Sequence, residues 1–320
     1  MNLLNLNPVR RSAPVMAMMA TLLFGSCKDD DMKDVEVGGN QTIAEVVVGN
    51  NDFSLLETAL VQAGLTNILS GEGPFTVFAP DNEAFVATGL DTEAKIKAVP
   101  VETLKKILLY HVLNQKIPSS GIASASNTPV KTAADLDVFI TKNSSGVFIN
   151  GASVKPADLP ARNGVIHVIN TVLMPPTANI VELAAANPNF SFLVAAVQRA
   201  GQGSTNVAQV LSGEGPFTVF APTNQAFINA GFPDIAAIQA ADPAGLTGIL
   251  TYHVIGARVF SGDLTEGAQP ATVNGATVSI TLVGGAKVKG NKNTTPASVT
   301  SPNILATNGV IHVIDQVLLP

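Results

Sequence analysis

The segment Leu69-Ser-Gly-Glu-Gly-Pro-Phe-Thr-Val-Phe-Ala-Pro80 occurs twice in this chain, because the same letters return over residues 211–222. A non-periodic identity of this length is far beyond chance, so the chain is an internal duplication. Two shorter motifs repeat as well: Tyr110-His111-Val112 as residues 252–254, and residues 163–169 as residues 308–314. The repeat therefore runs from near residue 40 to the end of the sequence.

Each copy has the size of an ordinary domain rather than of a solenoid repeat. A unit of that size buries its own core and does not depend on stacked neighbours. We therefore predict two autonomous domains, residues 40–175 and 176–320.

Residues 1–26 have the pattern of a secretory signal peptide. Two arginines precede an uncharged, apolar stretch over residues 13–24, which is too short to span a bilayer. Small residues then lead into Cys27, the only cysteine, and this arrangement resembles a bacterial lipobox. We predict that Cys27 carries a lipid; the alternative is an incidental cysteine behind an ordinary secretory signal.

Residues 27–39 read as a flexible acidic tether. They are charged and contain glycine, a composition that does not support a folded core. The run of residues 28–31 resembles the acidic export signals of bacterial surface lipoproteins. We expect a protein anchored by lipid at the outer membrane and exposed at the cell surface; a periplasmic-facing anchor with a plain spacer is the alternative.

Charge and composition exclude several partners. Removing residues 1–26 takes away two arginines and no acidic residue, so the mature charge is 16 − 24 = −8. We therefore predict no nucleic-acid partner and a membrane contact through the lipid alone. The absence of tryptophan and the presence of only two tyrosines argue against a stacking platform for sugar rings.

The local patterns predict an α+β fold. Thr42 with Glu45, and Asn179 with Glu182, have the spacing of helix capping boxes. A later helix ends at each Tyr-His pair, with the histidine on its apolar stripe. Short β-branched strands bounded by Asn-Gly or Gly follow at residues 138–141, 147–149 and 277–282, and at both repeated Val-Ile-His-Val-Ile stretches.

The motifs resemble those of fasciclin (FAS1) domains. The blocks Pro-Phe-Thr-Val-Phe-Ala-Pro-x-Asn-x-Ala-Phe, Tyr-His-Val and Asn-Gly-Val-Ile-His-Val-Ile occur in that order in both copies. The resemblance implies two FAS1-like domains, each a β-strand wedge or sandwich with a layer of helices, and a role in adhesion without enzymatic chemistry. It also implies candidate adhesion motifs at the Tyr-His pairs and at the pair before the last block: Tyr110, His111, Asp158, Leu159, Tyr252, His253, Asn303 and Ile304.

No residue pattern indicates catalysis, a cofactor or a metal. All four histidines lie in the motifs, and without cysteine or a matching carboxylate motif they make a poor zinc site. We expect them to be buried and bonded to backbone groups. Serine next to glycine at residues 70–73 lacks the Gly-x-Ser-x-Gly elbow of hydrolases, so we predict no enzyme.

Two functions remain open. The first is a cell-surface adhesion or matrix-type binding module whose ligands are extracellular or cell-surface proteins. The second is an accessory glycan-binding lipoprotein of a polysaccharide-capture system, against which the scarcity of aromatic residues argues.

Overall fold

The computed structural model describes residues 39–203 and 206–320, and in the strand around residue 156 it leaves the side chains of residues 156 and 157 undescribed. The predicted signal peptide, Cys27 and the tether up to residue 38 lie outside the described residues. Residues 37–320 group by their contacts into one compact unit.

The described chain alternates between helical and strand-rich regions, each occurring twice. The helices are α1 Ile43–Val48, α2 Ser54–Ala63, α3 Thr66–Ser70, α4 Asn82–Ala87, α5 Glu93–Ala98, α6 Val101–Tyr110, α7 Ile180–Ala186, α8 Ser191–Ala200, α9 Val207–Leu211, α10 Asn224–Asn229, α11 Ile235–Ala240 and α12 Pro243–Tyr252. The strands are β1 Phe75–Pro80, β2 Val112–Leu113, β3 Thr128–Lys131, β4 Asp137–Asn143, β5 Gly146–Ile149, β6 Ala152–Ala161, β7 Gly164–Ile169, β8 Phe217–Pro222, β9 Val254–Ile255, β10 Ser279–Thr281, β11 Lys287–Lys289, β12 Ala297–Ala306 and β13 Gly309–Ile314.

Both predicted capping boxes are confirmed at the first helix of each domain. The amide of Glu45 donates to Thr42 Oγ1 at 3.3 Å, and the amide of Thr42 donates back to Glu45 Oε2 at 2.7 Å. Asn179 and Glu182 form the same reciprocal pair at 3.0 and 2.9 Å. Each box satisfies amides that have no partner inside the helix, which is why α1 and α7 begin where they do.

The sheet of each domain is built around one parallel strand pair. The strand order is β2-β1-β7-β6-β5-β4-β3 in the first domain and β10-β11-β12-β13-β8-β9 in the second. β1 pairs with β7 in parallel, with Phe75 opposite Gly164, and β8 pairs with β13 in the same register. The other pairs in these two sheets are antiparallel.

Each domain has two hydrophobic cores on opposite faces of that central pair. Successive side chains of a strand point to opposite faces, so Val77 and Ala79 pack under the helices while Phe78 points the other way. Phe78 meets Val138 and Ile149 from the far half of the sheet, which folds over to form a wedge. The second domain repeats both cores. The predicted α+β fold, a wedge of strands with a helical layer, is confirmed.

The repeated Asn-Gly turn ties the two ends of each domain together. Asn163 Oδ1 accepts from the amide of Ile43, and its Nδ2 donates to the carbonyls of Leu69 and Gly71. Asn308 makes the equivalent three bonds in the second domain. A Cβ on the following Gly164 would collide with a backbone carbonyl of β1, so this close approach requires glycine.

Within the described residues, no single helix has the length and hydropathy needed to cross a bilayer. The segments Ile180–Ala186 and Pro188–Ala200 have the required length and hydropathy only when they are taken together, and the chain bends by 104° between them.

Candidate functional site

The tyrosines of the two Tyr-His pairs are core residues. Tyr110 is fully buried; its hydroxyl donates to the carbonyl of Asp137 at 2.8 Å and accepts from Asn150 Nδ2 at 3.0 Å. Burial raises the pKa of Tyr110 to about 12. Tyr252 is equally buried and donates to the carbonyl of Thr277 at 2.6 Å. Both hydroxyl groups thus anchor the far half of the sheet to a helix end.

The paired histidines connect the same helix ends to the segment after the last strand. His111 Nδ1 lies 2.8 Å from the carbonyl of Ile107, and its Nε2 accepts from the amide of Leu173 at 2.9 Å. Since Nε2 must accept from an amide, the proton of the neutral ring sits on Nδ1. His253 repeats this arrangement. Burial lowers the pKa of both histidines to about 4, so both are neutral at pH 7.

The strand histidines are buried in the wedge. His167 stacks on Phe78 with ring centroids 5.8 Å apart, and His312 stacks on Phe220 at 5.7 Å. Their Nε2 atoms each lie 2.8 Å from a backbone carbonyl. Burial lowers the pKa of His312. The prediction of buried, backbone-bonded histidines is therefore confirmed.

The Tyr-His pairs, which the family resemblance makes candidate adhesion motifs, are packing residues in this structure. Tyr110 and Tyr252 have no exposed area, and His111 and His253 are 2% exposed. All four side chains already have hydrogen-bond partners inside the domain. They hold helix and sheet together and offer no polar atom to a partner.

The second candidate pair lies at the surface in both domains, next to an irregularity in its strand. Asp158 and Leu159 follow a register shift in β6, Asn303 lies within the corresponding shift between Ser301 and Ile304 in β12, and Ile304 ends it. All four residues are partly exposed. A bulge of this kind turns side chains away from the regular ladder, which places these pairs where they can be reached.

The first residue of each pair also fixes a nearby turn. Asp158 Oδ2 accepts from the amide of Ser119 at 2.8 Å, and Asn303 Oδ1 accepts from the amide of Ser261 at 2.7 Å. Asp158 Oδ1 lies 3.0 Å from His167 Nδ1, but without the alignment of a hydrogen bond. The change from aspartate to asparagine between the copies therefore keeps the turn and removes the charge.

The two domains meet in a polar contact centred on Asp263. Thr141 Oγ1 donates to Asp263 Oδ1 at 2.6 Å, and Asn127 Nδ2 donates to Asp263 Oδ2 at 3.0 Å. Asn143 Nδ2 donates to the carbonyl of Gly262 at 2.8 Å. A carboxylate acceptor makes the first two bonds stronger than bonds between neutral groups. Strand β4, through Thr141 and Asn143, and Asn127 immediately before β3 are thereby attached to the second domain.

Aromatic packing adds to this contact. The guanidinium carbon of Arg258 lies 4.0 Å from the ring centroid of Phe139, a cation–π geometry. The ring of Phe260 is 6.0 Å from that of Phe139. Burial lowers the pKa of Arg258 from its usual value, although an arginine at this site stays protonated.

The sequence prediction did not include these interface residues. The signal available was the difference between copies: Arg258, Phe260 and Asp263 stand where the first copy has Lys116, Pro118 and Gly121. The two domains contact each other through different parts of the fold, so the contact residues of one copy need not occur in the other. Nothing in the local pattern indicates which face they meet.

A cleft of about 580 Å³ lies between the domains. Its walls come from residues 171–177, which connect the domains, and from residues 301–305 of β12. Ile304 and Asn303 of the second candidate pair line it, together with Met174, which is 53% exposed. Leu305 packs against the wedge core of the first domain. The structure thus brings Asn303 and Ile304 into a composite site, whereas Leu159 lines a separate polar pocket in the first domain.

In the part of the chain that the structure describes, no three histidine, cysteine, aspartate or glutamate side chains gather as metal ligands.

Comparison with known proteins identifies the family. The Fasciclin domain model matches residues 51–175 and 188–320. The chain is 28% identical to pig transforming growth factor-beta-induced protein ig-h3 over 254 residues, which are 79% of this chain and 35% of that protein. It is 30% identical to human periostin, covering 79% of this chain and 29% of periostin. It therefore spans about a third of the length of these relatives.

A shorter relative and a solved structure are also similar to this chain. Protein sll1483 of Synechocystis is 43% identical over 136 residues, which are 42% of this chain and 74% of that protein. Among solved structures, the FAS1 domain pair of the insect cell adhesion molecule fasciclin I covers 83% of this chain and 96% of its own, with a TM-score of 0.41 and 21% identity. The chain belongs to the fasciclin family and carries two FAS1 domains in tandem.

Proposed function

We propose that this protein is a non-enzymatic adhesion module at the cell surface, with an extracellular or cell-surface protein as ligand. Fasciclin I, with which it shares its domain type, is a cell adhesion molecule. The signal-peptide pattern of residues 1–26 and the lipobox-like Cys27 support secretion and a lipid anchor at the outer membrane. Residues 27–39 would then separate the anchor from the domains 40–175 and 176–320.

The cleft between the domains carries this proposal. It combines exposed apolar groups, Met174 and Pro302, with the polar Asn303. The Asp263 contact, outside the cleft, links the two domains that form its walls. A preformed cleft that needs no ordering on binding favours recognition of a polypeptide segment. Its size suits a few side chains of a partner, so single-site affinity is modest and gains from several copies on a membrane.

The histidines of the two Tyr-His pairs, His111 and His253, are not placed to act in catalysis. His111 and His253 have both ring nitrogens in hydrogen bonds to backbone groups. A buried, neutral and fully bonded imidazole has no free nitrogen to act as a general base.

The test is a binding screen of the full-length protein carrying Cys27→Ser against extracellular matrix proteins and a glycan array. We expect protein ligands to bind and Met174→Glu to weaken that binding at least fivefold, because it places a charge in the cleft. The matched control is Val283→Glu, which changes a 75% exposed valine outside the cleft and leaves binding unchanged. Equal binding by both variants, or binding only to glycans, contradicts the proposal.

The anchor is tested separately. We expect Cys27→Ser to give an unprocessed or soluble precursor, because no other residue can form the thioether. Detergent partitioning of cell extracts measures this. Normal processing and unchanged membrane retention of the variant contradict lipidation at Cys27.

A further inference from the structure

The helical layer of the second domain covers an apolar cavity of about 230 Å³. Side chains of α7, α8 and α9 form its roof, and β8 and β13 form its floor. At the equivalent place the first domain has only two small pockets, of about 10 and 30 Å³. Because the two domains share their fold and motifs, the cavity is specific to the second copy.

Among the substitutions in the lining, three replace a buried side chain of the first domain with a smaller one. Ala184 stands where the first domain has Val47, Val197 replaces Leu60, and Val207 replaces Leu65. The first exchange removes two carbon atoms and the others remove one each, all under the same helices. Val47 is fully buried, whereas Ala184 is partly exposed, so the missing atoms also open a mouth to solvent.

The lining contains almost no polar group. His253 contributes to the wall, but its ring nitrogens are bonded to Ile249 and Leu318. Gln198 supplies the other polar side chain, and it is exposed at the mouth. A buried water needs two to four polar partners, so such a cavity favours an apolar occupant over water.

We propose that the second domain binds a single unbranched alkyl or acyl chain in this cavity, with the polar end of the ligand at the mouth near Gln198. A cavity of about 150 Å³ accommodates benzene, with six carbons, so one of this volume accommodates about nine carbons by the same ratio. A charged head group would find no partner inside, which restricts recognition to the chain. The source of the chain is a free fatty acid or the tail of a membrane lipid.

The test uses the full-length protein carrying Cys27→Ser, which removes the proposed lipid of the protein itself, and decanoate as probe. Calorimetric titration is expected to show saturable binding with one site per chain. The variant Ala184→Val/Val197→Leu/Val207→Leu restores the side chains of the first domain and should weaken binding at least tenfold. Val210→Leu, an exchange of the same kind at an exposed position of α9, is the matched control and should bind as the parent does.

Two results overturn the proposal: no saturable binding of decanoate, or equal binding by the filled variant with unchanged far-UV circular dichroism. If the filled variant loses its fold, single Val197→Leu and Val207→Leu exchanges provide the same comparison. Flotation of parent and filled protein with phosphatidylglycerol vesicles then separates the sources. Vesicle binding that depends on the open cavity identifies a lipid tail, and decanoate binding without it identifies a free acid.

Discussion

Acidification from pH 7 to pH 5 should destabilise both domains through His111 and His253. Each has a pKa of about 4 in the folded chain, below the usual value of 6.5 that it regains on unfolding. Between these values only the unfolded state takes up the proton, so stability is complete above pH 6.5 and is lost as the pH falls towards 4. The loss is about 1.4 kcal/mol per pH unit for each histidine, or about 2 kcal/mol per domain at pH 5.

Urea unfolding at both pH values measures this effect. The chain has no tryptophan, and its two tyrosines are buried in different domains. Because both emit at the same wavelength, the first domain is followed by Tyr110 fluorescence in a Tyr252→Phe background, and the second by Tyr252 fluorescence in a Tyr110→Phe background. His111→Gln removes the titrating group from the first domain. It should lower stability at pH 7, since a cavity and a lost hydrogen bond remain, and yet reduce the loss between pH 7 and 5 by about 2 kcal/mol.

The second domain is the internal control for that variant. His253 is unchanged there, so the Tyr252 signal should keep its full pH dependence. If His111→Gln leaves the pH dependence of the first domain as steep as in the parent, the neutral buried imidazole is not its origin and the reasoning is refuted.

Three further changes test other contacts. Asn163→Ala removes three hydrogen bonds at a buried site and should lower the free energy of unfolding by about 2–4 kcal/mol in a urea titration, whereas the exposed Asn67→Ala should change it by less than about 0.5 kcal/mol. Tyr110→Phe keeps the ring but leaves two polar groups without their partner, so we expect a loss of about 1–3 kcal/mol by the same assay, and a stability equal to the parent would show that the hydroxyl is dispensable. Asp263→Ala removes the acceptor of two hydrogen bonds between the domains, whereas the control Thr141→Val removes only one of them. Limited proteolysis should therefore cut residues 171–177 faster in Asp263→Ala than in Thr141→Val. Equal rates would show that Asp263 does not hold the domains together.

The sequence predicted the features that depend on local patterns and occur twice. The capping boxes at Thr42 and Asn179 and the apolar stripe ending in His111 need only residues a few positions apart. Because each pattern was present in both copies, chance matches were excluded. The family and the α+β fold followed from the same motifs.

The long strands β6 and β12 were missed for a physical reason. β6 contains a lysine and two prolines, and β12 contains Ser301-Pro302, so neither shows the apolar alternation of a strand. Their pairing changes register at the bulges near Asp158 and Asn303, where the ladder is interrupted. Each of these strands is stabilised by two neighbours: its first residues pair with the preceding strand, and its later residues pair with the following one. Such pairing depends on the tertiary fold and leaves no local sequence pattern.

The contact between the domains and the apolar cavity were not predicted, because the sequence analysis relied on what the two copies share. Both arise from residues that differ between the copies, such as Asp263 and Ala184, and a search for repeats looks for identity. Asp263 forms a contact between the domains, whereas Ala184 removes atoms from the core of the second domain. The effect of each exchange depends on which residues surround it in the folded protein.

The parallel pairing of β1 with β7, and of β8 with β13, also affects how the chain is made. Each pair joins strands from opposite ends of a domain's sequence, so during vectorial synthesis β1 has no parallel neighbour until β7 has emerged. A half-made domain therefore exposes an apolar strand edge, the kind of surface that holding chaperones protect. Because β13 lies between β12 and β8, a chain that stops short of residue 309 lacks the middle of its second sheet and not merely a peripheral strand.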